Sequence, residues 1–258
     1  MTERLLNAEE KRLLKRMDEL DLSAMSEIFR EQLLQSELYN SMPFVERLSE
    51  AVENYGRYCS ERQLRRLLKA SNLRYQLKLS SFNISRSDGI TREVIQTLKD
   101  PELIAQSRNI YIVGPTGVGK TALACACAYN FMEKGHTARF YKTDHLLQDL
   151  NAKEEKALKR FRNRMRTIDL LIIDDFGIEK ITGSGASRLL DLIDERYGRG
   201  ATIITSQVSL EAAPNVFSSQ SPHVKEAIKD RMFPKNTILI ELSGESKRGE
   251  ADELRDGR

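Results

Sequence analysis

Gly114-Pro115-Thr116-Gly117-Val118-Gly119-Lys120-Thr121 fills the pattern GxxxxGK[ST], and each fixed residue of that pattern has a mechanical job. The glycines allow backbone conformations that a Cβ would block. The loop's N–H groups then turn inward and cradle phosphate oxygens. The Lys120 ammonium brings a point charge to the β- and γ-phosphates, and the Thr121 hydroxyl is suited to ligate Mg²⁺. The flanks supply the context the motif needs. Residues 109–113 (Asn-Ile-Tyr-Ile-Val) are a short, apolar, β-rich run that ends at the loop. Residues 121–128 (Thr-Ala-Leu-Ala-Cys-Ala-Cys-Ala) are a small-residue helix that leaves it. Strand, loop and helix in that order aim a helix N-terminus at an anion. ATP and Mg²⁺ are the expected ligands.

A second acidic motif agrees. Residues 168–175 (Ile-Asp-Leu-Leu-Ile-Ile-Asp-Asp) are an apolar run ending in two carboxylates. Leu and Ile without alternation suit a strand of a parallel sheet, buried on both faces. Open α/β sheets bind ligands at the carboxyl ends of their strands, which puts Asp174 beside the phosphate loop, where it can hold the Mg²⁺ shell. Asp175 is then the group to position or deprotonate an attacking water.

Outward from these motifs the chain alternates strand and helix, the mark of a parallel sheet covered on both faces. Strands are predicted at 110–113, 138–142, 170–173, 202–205 and 238–242, with helices near 119–134, 144–165, 184–197 and 223–232. Gly135 and Gly198 fall where helix ends want them. The fold class is α/β, a five-stranded parallel sheet flanked by helices, preceded by a small all-α part. Residues 1–80 lack strand patterns; Leu13, Leu14 and Met17, then Leu20, Leu22, Met25, Ile28 and Phe29, recur at helical spacing. Pro43 opens a helix carrying Val45, Leu48 and Val52, and 62–70 forms another. Residues 81–107 read as a connector, 108–243 as the nucleotide-binding domain and 244–258 as a charged tail.

Composition adds limits. The 258 residues hold 41 Lys and Arg against 38 Asp and Glu, a net charge of +3, so local clustering matters more than the total. Three cysteines are too few for a disulfide framework, and Cys125 and Cys127 read as small packing residues. The three histidines (His136, His145 and His223) have no ligand spacing. The N-terminus leads into a charged helix instead of a signal peptide. No apolar run approaches the ~20 residues of a membrane span. A cytoplasmic protein is expected.

Two basic clusters stand out. Residues 57–78 carry seven basic residues and one acid, Glu61. Residues 153–166 carry seven basic and two acidic. In the second, Ala157, Leu158, Phe161 and Met165 recur at helical spacing and can pack on the sheet. Lys159, Arg160, Arg162 and Arg164 are left on the remaining surface. Either cluster can be a solvated helix face or a phosphate-contacting one.

Together these residues resemble the IstB family of insertion-sequence transposition helpers, relatives of the DnaC-type helicase loaders within the AAA+ ATPases. The resemblance spans about residues 10–248. It rests on Leu20 to Met25, 72–75 (Asn-Leu-Arg-Tyr), the phosphate loop, Leu170 to Gly177, 203–207 (Ile-Ile-Thr-Ser-Gln), Asp230-Arg231 and 244–248 (Gly-Glu-Ser-Lys-Arg). It implies that Gln207, or Ser206 one position earlier, is a polar sensor of the γ-phosphate. It implies that Arg231 is an arginine finger acting on a neighbouring subunit's ATP, and that Arg248 touches either the nucleotide or the sheet. It also implies that the second basic cluster contacts DNA. Most AAA+ proteins carry Glu where this chain has Asp175, so slow hydrolysis is expected. Too little sequence follows Ser243 for the usual helical lid, so neighbouring subunits are expected to complete the nucleotide site.

Three functions follow as alternatives. One is an ATP-dependent regulator that self-assembles on duplex DNA, promoted by both ATP and DNA, and assists a transposase in target selection. The second is a loader of a replicative helicase. The third is a monomeric P-loop phosphotransferase, for which the Asp230-Arg231 pair has no use. Apart from the nucleotide-site carboxylates no three-acid nuclease pattern is evident, so DNA cleavage is not expected.

Overall fold

Asn7 opens the first helix with a reciprocal cap. Its Oδ1 accepts from the Glu10 N–H at 2.8 Å, and the Glu10 carboxylate accepts from the Asn7 N–H at 2.8 Å. In this computed structural model, which describes residues 5–85, 87–152, 154–217, 226 and 229–245, the chain divides into two compact units, Met1–Arg66 and Leu67–Arg258. The first contains α1 (Ala8–Glu19), α2 (Ser23–Leu34), α3 (Ser36–Tyr39) and most of α4 (Phe44–Ser71). α1 lies against α2 with Leu14 buried between them, and the Ser26 hydroxyl donates to the Leu14 carbonyl. Gln32 donates to the Arg47 carbonyl and Tyr39 to the Glu50 carboxylate, tying α2 and α3 to α4.

The two helices expected after Pro43 are one helix of 28 residues. No proline interrupts it, and Gly56, whose added Cβ would meet nothing within 4 Å, is too weak a breaker to divide it. Residues 56–63 of α4 are all exposed.

In the second unit, the 3₁₀ turn Leu79–Ser81 and α5 (Arg92–Lys99) lead through α6 (Glu102–Ala105) to β1 (Ile110–Val113). Then come α7 (Lys120–Met132), β2 (Ala138–Lys142), α8 (Thr143–Ala152), α9 (Glu155–Thr167), β3 (Leu170–Phe176), α10 (Gly183–Arg196), β4 (Ala201–Ser206) and β5 (Ile238–Glu241). The sheet order is β2-β3-β4-β1-β5, and every pairing is parallel. All five predicted strands form, and β3 continues three residues further, through both acids. Of the helix expected at 223–232, the described residues 226 and 229–232 are helical.

Side chains alternate across a strand. Tyr111, Leu171, Ile173 and Ile204 therefore share one core with Leu146, Leu150, Phe161, Met165, Leu189 and Leu192 from α8, α9 and α10. α7 covers the other face and is itself covered by the 3₁₀ turn and α5. The segment read as a connector is thus packed on the phosphate-loop helix, where Cys127 Sγ donates to the Leu98 carbonyl at 3.5 Å. Cys125 and Cys127 are fully buried, as packing residues should be.

The single helix expected at 144–165 is two. α8 ends at Ala152 and α9 begins at Glu155. Between Leu150 and Ala157 the only apolar side chain is the single methyl of Ala152. Burial therefore does not hold that stretch straight against the sheet.

Arg196 clips the floor of this unit together. Its guanidinium is 1% exposed and donates to the carbonyls of Met165, Ile168 (2.8 Å) and Ala201 (2.6 Å) and to Thr202 Oγ1 (3.2 Å). Burial pulls its pKa down to about 10. The acceptors are the end of α9, the turn before β3 and the start of β4. Arg196→Met should leave buried carbonyls without donors and lower stability by about 3 kcal/mol or more, read as a shifted midpoint in urea unfolding.

Candidate nucleotide site

The carboxyl ends of the five strands share one edge, and every predicted nucleotide-site residue except Arg231 and the undescribed Arg248 is found there. β4 lies between β1, which feeds the phosphate loop, and β3, which carries the acids. The tip of β4 therefore stands between loop and acids. The Gly114 N–H donates to the Ser206 carbonyl at 3.3 Å. A Cβ on Gly114 would sit 2.2 Å from the Leu242 carbonyl oxygen, so the chain leaving β5 admits only glycine there. Gly119 precedes α7 at φ +101°, a left-handed conformation that frees the helix N-terminus.

Lys120 is nearly buried. Its ammonium donates to the carbonyls of Gly114 (2.8 Å) and Pro115 (2.7 Å), inside the curl of the loop. Pro115, Thr116, Gly117 and Val118 complete that curl, with Val118 buried.

Asp174 is fully buried. Its Oδ1 accepts from Thr121 Oγ1 at 2.8 Å and from Thr205 Oγ1 at 2.5 Å, while Oδ2 has no hydrogen-bond donor among the described residues. Burial pushes the carboxyl above the usual carboxylate range, against those two hydroxyl bonds, and the Asp175 charge pushes the same way. A buried carboxylate with a bare oxygen, beside a threonine hydroxyl at a helix N-terminus, fits a hard divalent cation that takes its remaining ligands from phosphate and water. Among the described residues no group of three or more His, Cys, Asp or Glu could hold a metal by itself, so such a cation would depend on the nucleotide.

Asp175 occupies a β-bulge. The β3–β4 register shifts between Ile173 and Phe176, and Asp175 has φ +59°. Bulges re-aim a side chain. Here two adjacent acids differ sharply: Asp174 is sealed, and the Asp175 side chain is about a third exposed. The Asp175 N–H donates to Thr205 Oγ1 at 3.1 Å, and its Oδ2 lies 3.8 Å from Lys142 Nζ.

Ser206 is buried, donating to the Phe176 carbonyl (2.7 Å) and accepting from the Val208 N–H (2.9 Å). Gln207, the next residue, is exposed. Thr205, Thr143 and Lys142 were not singled out by the sequence. Thr205 bridges both acids, and Thr143 Oγ1 donates to the Asp174 carbonyl at 2.9 Å. The available signal was position: Lys142 ends β2 in register with Asp174, and Thr205 lies one residue inside the β4 tip.

Arg231 lies elsewhere. Its Nε is 3.4 Å from Asp194 Oδ1, near the end of α10, and the adjacent Met232 carbonyl accepts from Asn109 Nδ2 below β1. Asn109 to Gly114 is five steps, or ~16 Å at ~3.3 Å each. Arg231 therefore belongs to the edge of the sheet opposite its own phosphate loop. On α9, Lys159, Arg160 and Arg164 are exposed. Arg162 instead turns to α10, 2.5 Å from Glu195 and 3.6 Å from Asp191. Lys153, His223 and Arg248 lie outside the described residues.

A family model described as IstB-like ATP binding protein matches residues 15–254. The chain belongs to that family. An insertion-sequence ATP-binding protein of Sinorhizobium fredii, y4pL, is 29% identical over 236 residues, 91% of this IstB-like chain and 95% of the relative. The insertion sequence IS1162 ATP-binding protein of Pseudomonas fluorescens is 31% identical over 197 residues, covering 76% and 85%. Among solved structures, DnaI superposes with a TM-score of 0.57 at 19% identity, covering 66% of this chain and 92% of DnaI. AMPPCP-bound DnaA from Aquifex aeolicus gives 0.55 at 19% identity, covering 72% and 57%. At that identity the structures establish the fold, an AAA+ P-loop ATPase fold. This chain is thus a member of the IstB-like ATP-binding family with an AAA+ P-loop fold. Among the described residues no helix is long and apolar enough to cross a membrane.

Proposed function

We propose that this protein hydrolyses ATP with Mg²⁺, self-assembles on duplex DNA, and assists a partner transposase in choosing its target. Thr121 and Asp174 hold the metal shell, Lys120 neutralises the β- and γ-phosphates, Asp175 prepares the water and Gln207 senses the γ-phosphate. With Mg²⁺ bound, the metal supplies Lewis-acid stabilisation of phosphate charge. Ser206 is spent on holding the β4 tip, which favours Gln207 as the sensor. The observation that carries the transposition reading is the breadth of the match. The S. fredii relative covers 91% of this chain, so the match takes in much of the helical first unit as well as the ATPase core, and the first unit is where a partner would be chosen.

DNA contact is assigned to the exposed cations of α9, Lys159, Arg160 and Arg164. Arg162, paired across to α10, fixes the helix on the body of the domain. Contacts to phosphates are tolerant of sequence and sensitive to salt. Changing Lys159, Arg160 and Arg164 together to Ala should weaken duplex binding. The slope of log K against log[salt] should become shallower by about 0.9 for each phosphate no longer neutralised. Arg162→Ala alone should act mainly on stability. An unchanged slope in the triple variant moves the DNA interface off α9. Light scattering with ATP and duplex present tests assembly; a monomer under those conditions rejects the proposal.

A further inference from the structure

The exposed part of α4 carries a row of arginines that its own unit does not balance. Arg62, Arg65 and Arg66 stand exposed near the end of the first unit. At ~3.6 residues per turn they fall within ~100° of one another around the helix, turned away from half-buried Leu64. Among the described residues none of the three forms an ion pair, not even with Glu61, one turn before Arg65. By contrast, Arg16 of α1 lies 2.8 Å from Glu19, and Arg30 of α2 lies 3.1 Å from Glu27. Like charges spaced three and four residues apart repel and weaken a helix. α4 thus bears a charge arrangement that does nothing for its own stability. The row ends at Tyr58, which stacks on Tyr55 with ring centroids 6.4 Å apart, beside a groove that Glu27 and Glu31 of α2 help to line.

We infer that Arg62, Arg65 and Arg66 form a second contact for duplex DNA, separate from α9 and independent of nucleotide. The inference rests on the DNA reading above only for the class of ligand. From Arg62 to Arg66 is ~6 Å of helix axis at ~1.5 Å per residue. A duplex presents one phosphate charge per ~1.7 Å of its own axis, so three cations on that length meet a comparable number of phosphates. Guanidinium forks match phosphate oxygens in pairs, which an ammonium does not. Residues 62–66 include no aromatic ring, so bases have no stacking platform there and the contact is to the backbone of the duplex. No element of the nucleotide site supplies any of the three side chains, so this contact does not wait for ATP. The carboxylates beside Tyr58 repel phosphate and mark where the DNA track stops.

The experiment titrates a fluorescent duplex into the full chain without nucleotide, over a range of salt. The unsubstituted protein should bind, and more weakly as salt rises. Changing Arg62, Arg65 and Arg66 together to Gln, a good helix former, should make the slope of log K against log[salt] shallower by ~0.9 per arginine, ~2.7 in all. Changing the same three to Lys should keep the slope, because the charge is kept, and lose affinity with the forks. Glu61→Gln, which removes the acid from this stretch and leaves the arginines in place, should tighten binding ~two- to fivefold. That variant tests the site even if the triple change unfolds the helix, which circular dichroism would reveal. A slope unchanged in a folded Gln variant, a Lys variant that loses as much slope as Gln, or no effect of Glu61→Gln overturns the inference. So does binding of polyglutamate as tight as that of duplex, which would mark α4 as a surface for an acidic protein. Duplex binding that appears only with ATP overturns the inference and leaves the α9 reading intact. No duplex binding with or without ATP overturns both.

Discussion

Arg231→Ala is expected to lower ATP turnover by ~10³-fold or more, the contribution of an arginine finger acting between subunits, while the isolated subunit's nucleotide affinity stays close to normal. The finger role is implied by the family resemblance, and we propose it because the side chain sits away from its own phosphate loop. Arg231 pairs with Asp194 at the sheet edge opposite its own loop, with half its side chain exposed. Met232 and Phe233 anchor that segment: both are buried, and Phe233 meets Tyr111 edge-on at 5.1 Å. The guanidinium is thus carried on a fixed base and faces outward, suited to a neighbour's phosphates. Mixing Arg231→Ala with Lys120→Ala should restore part of the activity, because one subunit supplies the loop and the other the finger. Full turnover by a dilute, strictly monomeric sample would falsify the trans arrangement.

The second large effect separates binding from chemistry. Lys120→Ala removes the cation inside the phosphate loop. Losing one or two charge-assisted hydrogen bonds, each ~1.5–3 kcal/mol, should weaken ATP binding by ~10- to 10⁴-fold. Asp175→Asn should bind ATP normally and lose ~10²–10⁴ in turnover, the span of a general base. The two variants differ because Lys120 is buried against the Gly114 and Pro115 carbonyls, whereas Asp175 is a partly open side chain held beside Thr205 and Lys142. Equilibrium binding of a fluorescent nucleotide alongside phosphate release distinguishes them. Unchanged turnover in both variants would remove the ATPase assignment.

The strands were legible because a parallel strand buried on both faces must be written in continuous apolar residues, as at Leu170 to Ile173. The phosphate loop was legible because its backbone demands are met by few residue types. What escaped the sequence depends on neighbours brought together by the sheet. Thr205 bridges the two acids only because β4 is inserted between β1 and β3, and strand order is not written locally. Lys142 matters through its register with Asp174 across strands. Arg162 looked like its basic neighbours until α10 supplied Asp191 and Glu195. The break between α8 and α9 and the continuity of α4 were misread for a common reason. Propensity there is nearly uniform, so packing decides where a helix ends.

α7 is built almost wholly from small and apolar residues, and from Leu123 to Ala128 every side chain is buried. With the sheet on one side and α5 on the other, its amide protons have no route to solvent short of opening the whole second unit. They should be among the slowest in the chain to exchange with deuterium, at rates set by global unfolding. The bare stretch of α4 around Gly56, where residues 56–63 are all exposed, should exchange orders of magnitude sooner through local fraying. The chain therefore seats its phosphate grip on an element that opens only with its whole unit, while the exposed part of α4 opens by itself.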